Sequence, residues 1–449
     1  MKTLNLQNIW YGLCVILSII GLSLVASCSQ EVPQVEKKGD YNSDYPGGLD
    51  ASSVPILLSI NNFQFDVITR GLSAFEAIDS YGSDMETAKE KWGNAPFYVL
   101  SYLVNNSVYS GGHDFSKLYA DYVPSSDSKE VQYCLMDGQT GSQDPGVPFH
   151  LDYGVSSDIP SFTTIDASTN YYYNGEHQNY KYDFFMYFAD DAPLTDFVRS
   201  KDQVSCRVQI DGTQDVMQAK AKVTSEQVSG IIVPNNEFFG NDYAQYTYSA
   251  QAGRRGLIPK FVASHLMTQL RFQLLGADKT AGEVTVSDIV VKDVNTKGTF
   301  VVAAVEEDSL GVRFDSSPMD LHLPERDPLT FKMTDTSSDH LTGRIVNDGE
   351  VFSYPYGLLL PSTKEYEIQM VCQQLNEDTG EIRTFYPTYK IGLSGDKLFD
   401  PGSIYTVKIS VYGYQKVLVT LDLPGWKDSG VVIDIGNDQD AFPGYTTGD

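Results

Sequence analysis

The chain has 449 residues, about three times a typical single domain, so its length predicts two or three domains with ample residues for hydrophobic cores. Hydrophobic residues make up 41% and aromatic residues 12% of the sequence, which excludes a largely disordered chain. The 59 acidic residues outnumber the 32 basic ones and give a formal charge of −27. Such an excess repels phosphate backbones and anionic lipid headgroups and argues against nucleic acid as a partner.

Residues 1–27 are predicted to be a lipoprotein signal peptide. Lys2 precedes 16 apolar or small residues at 9–24, a stretch that is short for a membrane span and suits the core of a signal peptide. Val-Ala-Ser at 25–27 then leads into Cys28, and these four residues resemble the lipobox of bacterial lipoproteins. Lipoprotein signal peptidase would leave Cys28, acylated with chains such as palmitate, as the outer-membrane anchor. The alternative is an ordinary secretory signal that is cut at a small residue.

The rest of the chain predicts an all-β fold behind a polar tether at residues 28–50. Apolar and polar residues alternate in short runs between Gly, Asn, Asp and Pro, which is typical of antiparallel β-sandwiches. Few short helices are expected, and the one helical pattern lies within residues 73–92. The clearest strand patterns are at 180–188, which we expect to be half-buried, and at 270–274, 284–291, 405–411, 417–423 and 431–435.

The best domain boundary is the Gly-Arg-Arg-Gly sequence at residues 253–256. It predicts an N-terminal β-sandwich domain at 51–256 and a C-terminal β-sandwich domain at 257–449. The two arginines are expected to lie in a solvated linker, with a protease site as the alternative.

No catalytic or metal-binding pattern stands out in the sequence. Cys134, Cys206 and Cys372 are far apart and lack a CxxC spacing, so we expect buried free thiols, with one long-range disulfide as the open alternative. The six histidines are scattered, and His265 is expected in the core or at a strand edge. We therefore predict that the protein is not an enzyme and needs no cofactor or metal ion.

Three stretches, taken in order, resemble the fimbrillin family, the pilin subunits of type V fimbriae in Bacteroidetes. They are the lipobox and tether followed by residues 56–60 and 63–71, then Pro-Lys-Phe at 259–261 with Ser-His-Leu at 264–266 and Gln-Leu-Arg-Phe at 269–272, and lastly Phe-Asp-Pro-Gly at 399–402 with Tyr-Thr-Val at 405–407 and Trp426.

The resemblance implies a precursor with two transthyretin-like β-sandwich domains, exported to the cell surface as a lipoprotein. An Arg-specific protease would cut between Arg70 and Gly71 and free an N-terminal strand within residues 56–69. A C-terminal strand of the next subunit would fill the vacated groove. The expected partners are copies of the chain itself, accessory pilins, the processing protease and the outer membrane, and the expected role is a fimbrial subunit that supports adhesion.

Two apolar segments suit this exchange. The strand to be displaced would use Ile56, Leu58, Ile60, Phe63, Phe65 and Val67, with a shift of facing at residues 61–62. The donor strand, within residues 415–436, would use Val417, Val419, Leu421, Leu423, Val431 and Ile433. Both could instead be permanent core strands of one monomer, because alternation does not tell which molecule a strand belongs to.

The alternative function is that of a glycan-binding surface lipoprotein in a polysaccharide-uptake system. Tyrosines could supply a platform, because a flat aromatic ring matches the face of a sugar. The candidates, which could equally be core residues, are Tyr171, Tyr172, Tyr173, Tyr180, Tyr182 and Tyr187.

Overall fold

The structure is a computed structural model. It describes residues 53–61, 96–104, 114–117, 122–124, 130–137, 146–152, 161–164, 171–174, 180–224, 227, 248–253, 257–276, 284–323, 329–332, 344–347, 351–375, 379–395, 397–411 and 417–422. The predicted helical region at 73–92 lies outside these residues.

Nearly all of the regular secondary structure among the described residues is strand, which confirms the all-β fold class. The strands before residue 266 are β1 (Ser53–Pro55), β2 (Ser59–Asn61), β3 (Phe97–Leu103), β4 (Tyr122–Pro124), β5 (Glu130–Gln132), β6 (Cys134–Met136), β7 (Val147–Asp152), β8 (Ser161–Thr164), β9 (Tyr172–Asn174), β10 (Tyr182–Phe188), β11 (Leu194–Arg199), β12 (Gln203–Gln209), β13 (Met217–Lys220), β14 (Lys260–Val262) and β15 (Ser264–His265).

The later strands are longer. They are β16 (Met267–Gly276), β17 (Val284–Asn295), β18 (Lys297–Ala304), β19 (Gly311–Phe314), β20 (Pro318–His322), β21 (Leu329–Lys332), β22 (Arg344–Asn347), β23 (Val351–Pro361), β24 (Glu365–Leu375), β25 (Ile382–Phe385), β26 (Thr388–Gly392), β27 (Ile404–Val411) and β28 (Val417–Asp422). The helical elements are α1 (Ala250–Gly253) and a 3-10 turn at Glu307–Ser309.

A nine-stranded sheet organises the N-terminal half, with β14-β2-β8-β7-β3-β10-β13-β15 in order and β6 paired to β3. Its central strand β10 is buried on both faces. Phe184 and Met186 belong to one apolar cluster, whereas Phe185 and Tyr187 belong to another. The expectation of a half-buried strand was therefore wrong. A second, four-stranded sheet of order β11-β12-β18-β19 covers the other face, and Phe300 of β18 meets the Tyr187 ring edge-on at 5.8 Å.

The C-terminal half contains a second pair of sheets around its own core. One has the order β23-β16-β27-β28; the other has the order β22-β21-β17-β24-β25, with β20 and β26 attached to β17 and β24. Phe272 and Val407 of the first sheet share a buried cluster with Ile289 and Ile368 of the second. The β27–β28 hairpin confirms the strand prediction for residues 405–411 and 417–422. Among the described strands, the pairs β14–β2, β16–β27 and β21–β22 are parallel.

Strands from both sides of residue 256 share sheets. β18 pairs with β12 over the whole length of β12, and β15 pairs with β13. The single residue Thr296 separates β17, in the C-terminal pair of sheets, from β18, and its carbonyl accepts a hydrogen bond from the Ile210 amide at 2.9 Å. The division at 51–256 and 257–449, and the transthyretin-like form of each unit, therefore remain proposals.

The loop between β12 and β13 joins the two halves by backbone contact. The amide of Leu359 in β23 donates a 2.7 Å hydrogen bond to the Gly212 carbonyl. Gly212 has φ +96°, and a Cβ there would lie 2.9 Å from Cδ2 of the buried Leu358. Nearby in the chain, the carboxylate of Asp215 contacts Nδ1 of His265 at 2.7 Å, and Asp215 is fully buried. His265 is thus held at a strand edge, as the sequence predicts.

We expect Gly212→Ala to lower the free energy of unfolding by about 1–3 kcal/mol more than Gly395→Ala, since it adds overpacking to backbone strain. Gly395 is the matched control, because it has φ +76° but no atom within 4 Å of the position that the added methyl carbon would take. Urea unfolding of the unsubstituted chain and both variants measures the difference. Equal decreases in the free energy of unfolding would show that Leu358 can move away from an added methyl group at position 212 without destabilising the fold.

Candidate functional site

The candidate site is the position held by residues 53–61, the inserted segment. Its strand β2 lies between β14 and β8, inside the nine-stranded sheet rather than at its edge. It runs parallel to β14, with Ser59 opposite Lys260 and Ile60 opposite Phe261, and antiparallel to β8. We call the space between β8 and β14 the slot. A segment from the beginning of the described chain therefore links two strands that are far from it in sequence.

Short backbone ladders and single hydrogen bonds to other described residues hold the inserted segment. The Ser59 amide donates to the Pro259 carbonyl at 3.0 Å, and the Ile56 amide donates to the Tyr171 carbonyl at 2.8 Å. β1 pairs with β9 over three residues, whereas β2 pairs with β8 at Ser59 alone. The strand pairing of the segment is thus short, and side-chain burial contributes to its binding as well as hydrogen bonds.

Leu58 provides that burial. It is 4% exposed and belongs to the N-terminal core, the apolar cluster that includes Phe261 and Leu257. Ile56 is half-buried against the same cluster, whereas Leu57 between them is 49% exposed. The segment therefore turns alternate side chains into and away from the core.

The N-terminal core beneath the slot is rich in aromatic rings. Phe184 meets Tyr173 at 6.2 Å and Tyr248 at 5.6 Å, both edge-on. Burial raises the pKa of Tyr173, Tyr182 and Tyr248 above that of a free tyrosine, so all three stay neutral at physiological pH. The core beneath the slot is therefore apolar and uncharged, and it suits the inward side of a β-strand with alternating apolar residues.

The structure describes only part of the predicted displaced strand. Ile56, Leu58 and Ile60 lie in the inserted segment. Phe63, Phe65 and Val67 lie outside the described residues, as do the cleavage residues Arg70 and Gly71 and the lipidation residue Cys28. Excision of this strand stays a prediction.

The described part of the predicted donor is already paired. Val417, Val419 and Leu421 lie on β28, the edge strand of its sheet, opposite Val411, Ile409 and Val407 of β27. The three partners on β27 are buried. Leu423, Val431 and Ile433 lie outside the described residues. Donation by β28 would require it to leave its own sheet.

The tyrosines proposed for glycan binding are mostly interior. Tyr173, Tyr180, Tyr182 and Tyr187 are buried and Tyr171 is half-buried, so only Tyr172, at 45%, is well exposed. One exposed ring does not form a platform.

Other candidate chemistry is sparse among the described residues. Cys134, Cys206 and Cys372 are free and buried, as the sequence predicts. Within the described ranges no group of three His, Cys, Asp or Glu side chains is placed to hold a metal ion. No helix of the described part of the chain is long and apolar enough to cross a membrane.

Sequence reasoning did not single out Lys260 as a site residue. It lies opposite Ser59 in the slot wall and is half-buried, and it makes no ion pair with any residue that the structure describes. Its place between Pro259 and Phe261 in one of the resembling stretches was the only signal available.

We expect Leu58→Ala to lower the free energy of unfolding of the N-terminal region by about 2–5 kcal/mol, because it removes a buried side chain. Leu57→Ala is the matched control and should change it by less than about 0.5 kcal/mol, because Leu57 is exposed. Denaturation followed by tyrosine fluorescence measures both. Comparable effects of the two alanines would contradict the burial of the inserted segment.

Thiol labelling checks the state of the cysteines. Burial raises the pKa of Cys372 from 9.0 to about 12. Its thiolate fraction at pH 8 is then about 10³-fold smaller than that of an ordinary thiol, so the folded protein should resist alkylation. Mass spectrometry after treatment with N-ethylmaleimide, with urea-unfolded protein as control, reads the result. Rapid alkylation of Cys372 in the folded chain would contradict it.

No family model matches the chain, and no curated protein matches it. Among solved structures, a candidate cell adhesion protein of Bacteroides uniformis is 12% identical, with a TM-score of 0.39, and the match covers 84% of this chain and 100% of that one. The fimbrial anchor protein Mfa2 of Porphyromonas gingivalis is 9% identical, with a TM-score of 0.28 and coverage of 74% and 90%. The tip fimbrial protein Mfa3 of the same organism is 8% identical, with a TM-score of 0.27 and coverage of 74% and 94%. At these values the similarity carries no conclusion about function. The similar structures are cell adhesion and fimbrial proteins, the kind of protein that the sequence resembles.

Proposed function

We propose that the protein is a structural subunit of a cell-surface fimbria that supports adhesion. It is exported as a lipoprotein through Cys28, cut after Arg70, and joined to the next subunit when a strand of that subunit replaces the inserted segment. The observation that carries the proposal is the internal position of β2, between β14 and β8, near the beginning of the chain.

Loss of the inserted segment would separate the terminal strand β14 from the rest of the nine-stranded sheet. Two strand edges, those of β8 and β14, would face the empty slot, and the apolar residues around Leu58 would meet water. Unpaired edges and exposed apolar surface both favour association with another strand. An extended segment of another molecule can restore the ladder and the burial together.

A covalent cut is enough to make this replacement favourable. In the intact chain, the segment is tethered beside the slot, so its effective concentration there is high. Burial of Leu58 contributes about 1.5–3 kcal/mol and each ladder hydrogen bond about 0.5–1.5 kcal/mol, which is modest for a free peptide. After cleavage the segment gains the freedom of a separate molecule when it leaves, and a competing strand can take its place.

Cleavage would also separate the lipid anchor from the subunit that enters the polymer. Cys28 precedes Arg70, so a cut after Arg70 leaves the acyl chains on the excised piece. A subunit processed in this way is free to leave the membrane surface and enter a fibre. The burial of most candidate tyrosines disfavours the glycan-binding alternative.

Cleavage is tested with an Arg-specific protease acting on the purified full chain. We expect a new N-terminus at Gly71 and a ladder of stable multimers on denaturing gels. Arg70→Ala should abolish both, whereas Arg255→Ala, which removes an arginine of the predicted linker, should leave both unchanged. N-terminal sequencing and gel mobility provide the readout. A ladder from Arg70→Ala, or a surface form that keeps residues 56–69 and never polymerises, would contradict the proposal.

A further inference from the structure

We propose that residues 431–435 of a second copy enter the slot in the register of residues 56–60, and that Asp434 then pairs with Lys260. The inference rests on the proposed function and specifies its partner strand. It places Ile433 at the position of Leu58 and Asp434 at the position of Ser59.

The two segments have the same pattern when read in the same direction. Residues 56–60 are Ile-Leu-Leu-Ser-Ile and residues 431–435 are Val-Val-Ile-Asp-Ile, so apolar residues occupy positions one, two, three and five, and a polar residue occupies position four. The shared direction matters, because β2 runs parallel to β14 and a replacement with the same polarity keeps that ladder. The match therefore supplies both the inward apolar side chains and the required orientation.

Lys260 in the wall of the slot is positively charged, and residues 53–61 contain no acidic side chain that could pair with it. Lys260 is opposite Ser59 across the β2–β14 ladder, and residues opposite each other project from the same face of a sheet. Ser59 carries no charge, and Lys260 makes no ion pair with another described residue. An aspartate at the Ser59 position would stand beside this ammonium group. The incoming strand would thus form an ion pair that the outgoing strand lacks. This difference in free energy favours the exchange over its reversal.

A competing segment has the same apolar pattern but not the charge. Residues 417–421, Val-Leu-Val-Thr-Leu, place Thr420 at the fourth position. They lie on β28, which is paired with β27 from Val417 to Asp422. Residues 431–435 follow β28 and combine the pattern with a carboxylate, so they are the better occupant.

The charge pair is tested by the rate of multimer formation after cleavage of the full chain. Lys260→Glu replaces an attraction with a repulsion and should slow assembly about 2- to 30-fold at low salt. Asp434→Lys should slow it similarly, and the chain with both substitutions should recover most of the rate. Thr420→Glu is the control and should leave the rate unchanged, because Thr420 lies opposite Lys408 on β27 and a carboxylate there does not weaken the β27–β28 pair. The differences should vanish near 1 M salt.

Disulfide trapping tests the register. Cleaved Lys260→Cys subunits are mixed with cleaved Asp434→Cys subunits and oxidised gently, so a cross-linked pair can form only between two copies. We expect this mixture to give the dimer on non-reducing gels and a Lys260→Cys mixture with Thr420→Cys to give none. The native thiols Cys134, Cys206 and Cys372 are buried and do not compete.

The outcomes distinguish the proposed register of residues 431–435 from strand exchange itself. Multimers that form at equal rates in every charge variant, or that cross-link through Thr420→Cys, would overturn the register and leave strand exchange standing. Absence of multimers from the cleaved unmodified chain would overturn both. Cross-linking within one chain carrying both Lys260→Cys and Asp434→Cys, without any in the mixture, would assign the slot to the chain's own tail and overturn the role of a second copy.

Discussion

The packing of Leu58 into the N-terminal core is the interaction on which the rest of this interpretation depends. Leu58 directly precedes β2, and β2 in turn connects β14 to β8. Without that strand, the terminal strand β14 would lose its ladder partner and one edge of β8 would be unpaired, both beside apolar side chains. A short segment with few hydrogen bonds therefore completes a large sheet. The exchange that we propose would replace this short segment and restore the pairing of β8 and β14.

The sheets themselves were largely predictable from the sequence. Alternation marked β10, β16, β17, β27 and β28, because a period of two is directly readable when turn residues bound each run. Alternation did not predict the burial of Phe185 and Tyr187, which are covered by β12 and β18. The contiguous apolar run hinted at burial on both faces, but strands about 20 and 115 residues away provide the cover, and local periodicity carries no information on such distant neighbours.

The candidate site was predictable in part, because it too contains a run of alternating side chains. The pattern at residues 56–60 marks the inward positions, and Leu58 is indeed in the core. The neighbours of the segment are not readable, since the pairing of Ser59 with Lys260 joins positions about 200 residues apart. Lys260 is one of 32 basic residues, and only the register of β2 with β14 distinguishes it from the others. The sequence thus indicates which segments have a strand pattern, whereas the structure shows which strands they lie between.

The continuity from β17 through Thr296 into β18 would have a mechanical consequence in the fibre that we propose. One covalent ribbon crosses from the C-terminal pair of sheets to the sheet that covers β10, and the Gly212–Leu359 hydrogen bond reinforces the crossing. Tension between the two halves would then act on the backbone and on the hydrogen bonds of the β12–β18 ladder. Two halves joined only by a flexible hinge would move apart under the same pull, whereas a continuous strand and its ladder would oppose that movement.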